Sequence, residues 1–199
     1  MIARSSSDND LSNGWDAIAA ELIARREKSR IGITVVRRWA HSLPRGASVL
    51  DLGCGSGVPV SEALIHEGLV VYGLDASPTL VAAFRGRFPR ADVACEAVET
   101  SRFFGRTFDA VIAVGLLFLL SVEAQKVVIA KIGLALNPGG RVLFTSPSQE
   151  CTWADLMTGR QSCSLGASSY ITLLSEAGLR LIAEYVDEGE NHYYDAVRQ

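Results

Sequence analysis

Between Val49 and Gly57 the chain reads VLDLGCGSG, an apolar run that rises to Asp51 and is followed by glycine at positions 53, 55 and 57. Giving up a side chain at every second position costs conformational entropy, and it is worthwhile where a ligand or a packed backbone fills the space. Asp75 lies twenty residues beyond Gly55, and its two carboxylate oxygens suit the paired hydroxyls of a ribose. Cys54, between two of the glycines, reads as a small loop filler, since no base follows at a spacing that would activate its thiol. A second group of candidates lies in the C-terminal third. His192 follows the turn-like DEGEN and is the titratable side chain there best suited to act as a base, while Trp153 and Arg160 stand out in the long segment SPSQECTWADLMTGRQSCSLGASSY, from which substrate contacts would come.

A strand, glycines and a later carboxylate also describe the dinucleotide fingerprint G-x-G-x-x-G. Counting from Gly53 puts Val58 at the sixth position, and counting from Gly55 puts Val60 there. The third glycine, which allows tight helix packing beneath a pyrophosphate, is missing in either register. A nicotinamide cofactor is therefore disfavoured.

Composition narrows the partners. With 19 Lys+Arg against 22 Asp+Glu the formal charge is −3, and there is no basic block of the kind that grips a phosphate backbone. Nucleic acid is not the expected partner. The apolar run from Ala110 to Leu120 is about half the length needed to span a bilayer, so no membrane is expected either. Four cysteines without a CxxC pair and three scattered histidines (His41, His66, His192) suggest neither zinc nor a disulfide framework. Reduced thiols and the absence of an apolar leader point to the cytoplasm.

The elements that must position these residues alternate as in βαβ units, which predicts an α/β fold with a mostly parallel sheet covered on both faces. Strands are expected at ASVLDL, LVVYGLD, DVAC, FDAVIAV and RVLFTS, with helices at 58–67, 77–88 and 122–136. The third of these helices ends at Asn137-Pro138-Gly139-Gly140, and Ser77-Pro78 is a favourable start for the second. Residues 1–12 read as a disordered tail ahead of one domain, 13–199. Two helices, about 14–28 and 31–42, precede the sheet, and a variable insert occupies about 147–168. LRLIAEYV (179–186) and HYYDAV (192–197) are too close for a parallel crossover and must form an antiparallel hairpin.

In this order, the blocks VLDLGCGSG, VYGLDAS, CEAVE, FDAVIAVGLLFLL and LNPGGRVLF resemble the motifs of class I S-adenosylmethionine-dependent methyltransferases, over about Gly46 to Val197. The resemblance implies a Rossmann-like seven-stranded sheet of order 3-2-1-4-5-7-6 with strand seven antiparallel. It also implies S-adenosylmethionine as cofactor. Gly53, Cys54 and Gly55 would approach its methionine part, Asp51 its ammonium, Asp75 its ribose, and Ala76 would leave room for adenine. Glu96, Ala97 and Val98 would line the adenine edge, with Glu96 standing where many members carry Asp. Val114, Gly115 and Leu116 would approach the sulfonium. Arg26, in the charged run RREKSR, is the candidate for the cofactor carboxylate, and Trp15 for core or lid. The Asn/Asp-Pro-Pro-aromatic signature of methyltransferases acting on nucleobase or glutamine amino groups is absent. The expectation is methyl transfer to a small metabolite or xenobiotic. A cofactor-binding module without activity and a macromolecular acceptor are the alternatives.

Overall fold

The computed structural model describes residues 10–199. Of the stretch read as a tail, residues 1–9 lie outside the described residues. Asp10 begins a turn in which its carboxylate accepts from the Ser12 N–H (3.0 Å), the Ser12 hydroxyl (2.5 Å) and the Gly14 N–H (2.7 Å).

Along the chain the elements are α1 (Ala19–Lys28), α2 (Ile33–Ala40), β1 (Ser48–Leu52), α3 (Val60–His66), β2 (Val70–Asp75), α4 (Pro78–Arg87), β3 (Asp92–Cys95) and β4 (Phe108–Ala113). They continue with α5 (Val122–Ala135), β5 (Leu136–Thr145), β6 (Glu150–Ala154), β7 (Gln161–Leu165), α6 (Ala167–Glu176), β8 (Leu179–Val186) and β9 (His192–Arg198). Seven strands form one sheet in the order β3-β2-β1-β4-β5-β9-β8. β1 to β5 run parallel, and β9 runs antiparallel to both β5 and β8. With β6 and β7 set apart in a two-stranded sheet of their own, this is the order that the resemblance implies.

Because successive strand residues point to opposite faces, the sheet divides its apolar residues between two cores. Leu50, Leu52, Val111, Val142 and Phe144 pack with Val128, Ile129 and Ile132 of α5 and with Tyr170 of α6. Val49, Ala110, Ile112 and Leu143 pack on the other face with Val36 and Trp39 of α2 and Leu64 of α3. Asp51 lies on the same face as Val49, and so it is carried under α3 rather than into the α5 core.

Three readings change. The strand expected at RVLFTS begins at Leu136, directly after α5 ends at Ala135, so Asn137-Pro138-Gly139-Gly140 lies within β5 rather than closing the helix. The first helix, expected from about residue 14, begins at Ala19, because Gly14 holds left-handed backbone (φ 88°) and Ile18 still lies outside helical geometry (φ −113°, ψ 15°). The insert is an antiparallel hairpin of β6 and β7, with Glu150 opposite Leu165 and Ala154 opposite Gln161. β6 has no buried face, so its sequence lacks the apolar alternation that announces a strand, and its Ser- and Thr-rich surroundings read as loop. Asp155 closes the hairpin by accepting from the Met157 and Thr158 N–H groups at 3.0 and 2.7 Å.

Candidate functional site

The turn after β1 folds back onto the end of β2. The N–H groups of Gly53 and Cys54 both donate to the Leu74 carbonyl, at 2.8 and 3.1 Å. The Gly55 N–H donates to one oxygen of Asp75 and the Ser77 N–H to the other, both at 2.8 Å. Each carboxylate oxygen keeps a lone pair for a further donor. The glycines divide their work. At Gly55 (φ 55°) a Cβ would meet nothing within 4 Å, so the backbone borders open space. At Gly57 a Cβ would lie 2.5 Å from the Phe88 ring and 2.9 Å from that of Phe84, so this glycine serves packing against α4.

All the positions read as cofactor-facing border one cavity of about 560 Å³, a size typical of pockets for small ligands. Asp51, Gly53, Cys54 and Gly55 form its floor, with Asp75 and Ala76 beside them. Glu96, Ala97 and Val98 line one end, and Val114, Gly115 and Leu116 the wall after β4. Trp15 and Arg26 come over from the N-terminal segment as a roof. Cys54 is buried, and its thiol is pushed well up by burial and by the nearby Asp51 and Asp75 charges, which fits a filler and not a nucleophile.

The roof is tied down at several points. The Asn13 side-chain amide donates to the Leu119 carbonyl at 3.2 Å. One Asp16 oxygen accepts from the Ser77 hydroxyl (2.5 Å) and the Thr79 N–H (3.0 Å), so a carboxylate from the roof caps the start of α4. Within α1, Arg25 pairs outward with Glu21 at 2.8 Å and Glu27 with Arg87. Arg26 instead turns inward. A guanidinium nitrogen lies 3.3 Å from where a Cβ on Gly115 would be, and among the described residues no carboxylate pairs with it. Asp51 and Tyr193 are the groups that feel its charge.

Asp51 is 2 % exposed and accepts from the Ser61 hydroxyl at 2.5 Å. Burial raises its pKa to about 7; the Ser61 hydrogen bond and Arg26 oppose the rise, and the Asp75 charge adds to it. Its unfolded value is near 3.8, so the neutral form favours the fold. This contribution is present at low pH and is lost as pH climbs from about 4 to about 7. A cationic group bound beside Asp51 selects the ionised form. Binding of an ammonium ligand such as S-adenosylhomocysteine should therefore tighten about eightfold between pH 6 and pH 7.5, following the ionised fraction of a group with pKa near 7. Calorimetric titration at the two pH values checks this, and Asp51→Asn should flatten the profile.

Three of the residues read as chemical candidates do not border the cavity. His192 sits at the start of β9 with its ring nitrogen 2.8 Å from Glu184 and its ring edge-on to Tyr194 at 4.7 Å. Trp153 packs on Phe118, with ring centroids 5.5 Å apart. Arg160 meets the roof and not the cavity, with its guanidinium 3.7 Å from Asp10 and its side chain against Gly14. Conversely, Asp10, Asn13, Leu22, Glu99, Leu119 and Ser121 line the cavity without having been singled out. Glu99 and Leu119 fall within the blocks CEAVE and FDAVIAVGLLFLL, while Asp10, Asn13, Leu22 and Ser121 belong to no motif, and only the roof's folding over the sheet brings Asp10, Asn13 and Leu22 there.

Residues 49–140 match the family model described as a methyltransferase domain. A cypemycin N-terminal methyltransferase from Streptomyces sp is 37% identical over 115 residues, which are 55% of this chain and 46% of that protein. The chain spans between 16% and 58% of the length of the curated relatives it matches. Among solved structures, magnesium protoporphyrin IX methyltransferase from Synechocystis PCC 6803 with bound SAM superposes with a TM-score of 0.75 at 15% identity, covering 98% of this chain and 100% of that one. The 1,6-didemethyltoxoflavin-N1-methyltransferase of Burkholderia thailandensis, with its acceptor and S-adenosylhomocysteine, gives 0.78 at 19% identity over 95% of this chain and 87% of that one. With the sheet order and the glycine turn in agreement with the matched segment, residues 49–140 resemble a methyltransferase domain, and the chain has the fold of solved S-adenosylmethionine-dependent methyltransferases.

Proposed function

We propose that this protein binds S-adenosylmethionine in the cavity at the ends of β1 and β2 and transfers its methyl group to a small-molecule acceptor. The observation that carries the reading is one cavity with three matched polar groups. They are the inward, unpaired Arg26 guanidinium, the buried Asp51 carboxylate, and Asp75 with acceptor capacity left on both oxygens. These suit a carboxylate, an ammonium and a ribose diol respectively, and the bare backbone at Gly55 leaves space between them.

When bound, the cofactor supplies a methyl group already activated on a sulfonium. What remains for the chain is to hold, aim and exclude water. Arg26 and Asp51 fix the amino-acid end, Asp75 the ribose, and Ala97 and Val98 the adenine edge. The wall formed by Val114, Gly115 and Leu116 keeps the reacting end dry. The Gly115 N–H is held by the Thr145 hydroxyl at 2.8 Å, which ties the end of β4 to β5. His192, bound to Glu184 away from the cavity lining, has no geometric support as a base, which favours an acceptor that presents its own lone pair.

The small-molecule reading is supported by a cavity roofed by residues 10–26 and by the negative formal charge. It also agrees with the Burkholderia neighbour, which holds 1,6-didemethyltoxoflavin beside S-adenosylhomocysteine. Four unpaired cysteines fit a cytoplasmic setting. Incubation with methyl-tritiated S-adenosylmethionine and separate metabolite, peptide, DNA and tRNA fractions tests the proposal. Label in the metabolite fraction is expected. Label in RNA alone overturns the acceptor class, and tight cofactor binding without transfer to any fraction favours the non-catalytic module.

A further inference from the structure

The segment between β3 and β4 that lines the adenine end of the cavity has little backbone bonding of its own. The Thr100 and Ser101 N–H groups both turn back to the Ala97 carbonyl, at 3.2 and 2.9 Å. The carbonyls of Val98, Glu99 and Ser101 are left without a backbone donor, and half-buried carbonyls need one. A single side chain from α5 supplies all three. The Lys131 ammonium donates to Val98 O at 2.7 Å, Glu99 O at 2.9 Å and Ser101 O at 2.8 Å, and it lies over the Phe103 ring at 4.5 Å. An ammonium has three N–H groups, so its donor capacity is used up on this one loop.

The consequence reaches the cavity through the peptide plane. In a trans peptide the C=O and the following N–H point in opposite directions. With the Val98 carbonyl drawn to Lys131, the Glu99 N–H points away from α5. Glu99 borders the cavity, and no described residue accepts from its N–H. We propose that Lys131 is a positioning residue for base recognition: by gathering the carbonyls of residues 98, 99 and 101 it presents the free Glu99 N–H to the adenine of the cofactor. The inference rests on the reading of the cavity as an S-adenosylmethionine site. Lys131 does not border the cavity and touches no part of a ligand there; it acts through the loop.

The test compares S-adenosylhomocysteine with its deaminated counterpart, S-inosylhomocysteine, by calorimetry on the parent, Lys131→Met and Asp75→Ala. Methionine keeps the stem and removes the three donors. Lys131→Met should bind S-adenosylhomocysteine about tenfold more weakly and lose most of the parent's preference for the adenine form. Asp75→Ala should weaken both ligands alike and keep the preference. If folded Lys131→Met binds S-adenosylhomocysteine within twofold of the parent, or weakens both ligands equally, the role is not base-directed and the proposal fails. A parent that binds neither ligand, with Asp75→Ala equally inert, overturns the cavity reading itself, and this proposal with it. Amide exchange in the parent gives a readout that survives a variant too unstable to purify. The Glu99 amide should slow at least tenfold on saturation with S-adenosylhomocysteine, and unchanged exchange there sinks the proposal.

Discussion

Replacing Arg26 with methionine is expected to weaken binding of S-adenosylhomocysteine by about 2–5 kcal/mol, the range for removing one partner of a buried, hydrogen-bonded charge pair. The guanidinium comes from the last turn of α1, lies against Gly115, and has no carboxylate partner among the described residues, whereas its neighbours Arg25 and Glu27 are paired outward. A cation left unmatched in a cleft is costly without a ligand and valuable with one. Thermal unfolding of the ligand-free variant should therefore match or exceed that of the parent, while the ligand-induced rise in Tm collapses. An analogue of S-adenosylhomocysteine lacking the carboxylate provides the cycle: it should bind parent and Arg26→Met equally. Equal losses for both ligands would show that Arg26 shapes the roof without meeting the carboxylate.

Asp75→Ala should cost about 1.5–3 kcal/mol of cofactor affinity, the net value of hydrogen bonds to a charged acceptor. Both oxygens are held in place by the Gly55 and Ser77 N–H groups, so the ribose would meet an acceptor already oriented. Burial raises the Asp75 pKa, and these backbone donors pull it back down; donors from a bound diol would act in the same sense. The loss should shrink for an analogue whose ribose lacks both hydroxyls. A folded Asp75→Ala protein that binds as tightly as the parent would remove Asp75 from the site.

The two predictions draw on different kinds of information. Asp75 is legible in a single reading of the chain, because a carboxylate at the end of a second strand, twenty residues after a glycine turn, has few other places to go in a βαβ unit. Arg26 is different. The run RREKSR offers several equivalent charges on an amphipathic helix, and nothing local says which one turns inward. That depends on how α1 crosses the sheet ends, with Glu27 held by Arg87 and Asp16 by the start of α4. His192 shows the reverse failure. A lone histidine beside a turn invites a catalytic role, but the antiparallel pairing of β8 with β9 sets it opposite Val186 and within reach of Glu184.

The succession of the helices and of the strands of the main sheet along the chain, the glycine turn and the carboxylates at the strand ends were thus determined by the amino-acid sequence alone, because they depend on contacts within one βαβ unit or hairpin and on residue types with narrow conformational and chemical uses. Only the tertiary structure decided which residues roof the cavity, that residues 150–165 pair as a hairpin, that Gly57 packs while Gly55 stays open, and that Lys131 of α5 holds the loop after β3. Each of these is a meeting of segments far apart in the chain. Such meetings are selected by the packing of whole faces, and a one-dimensional pattern does not carry that information.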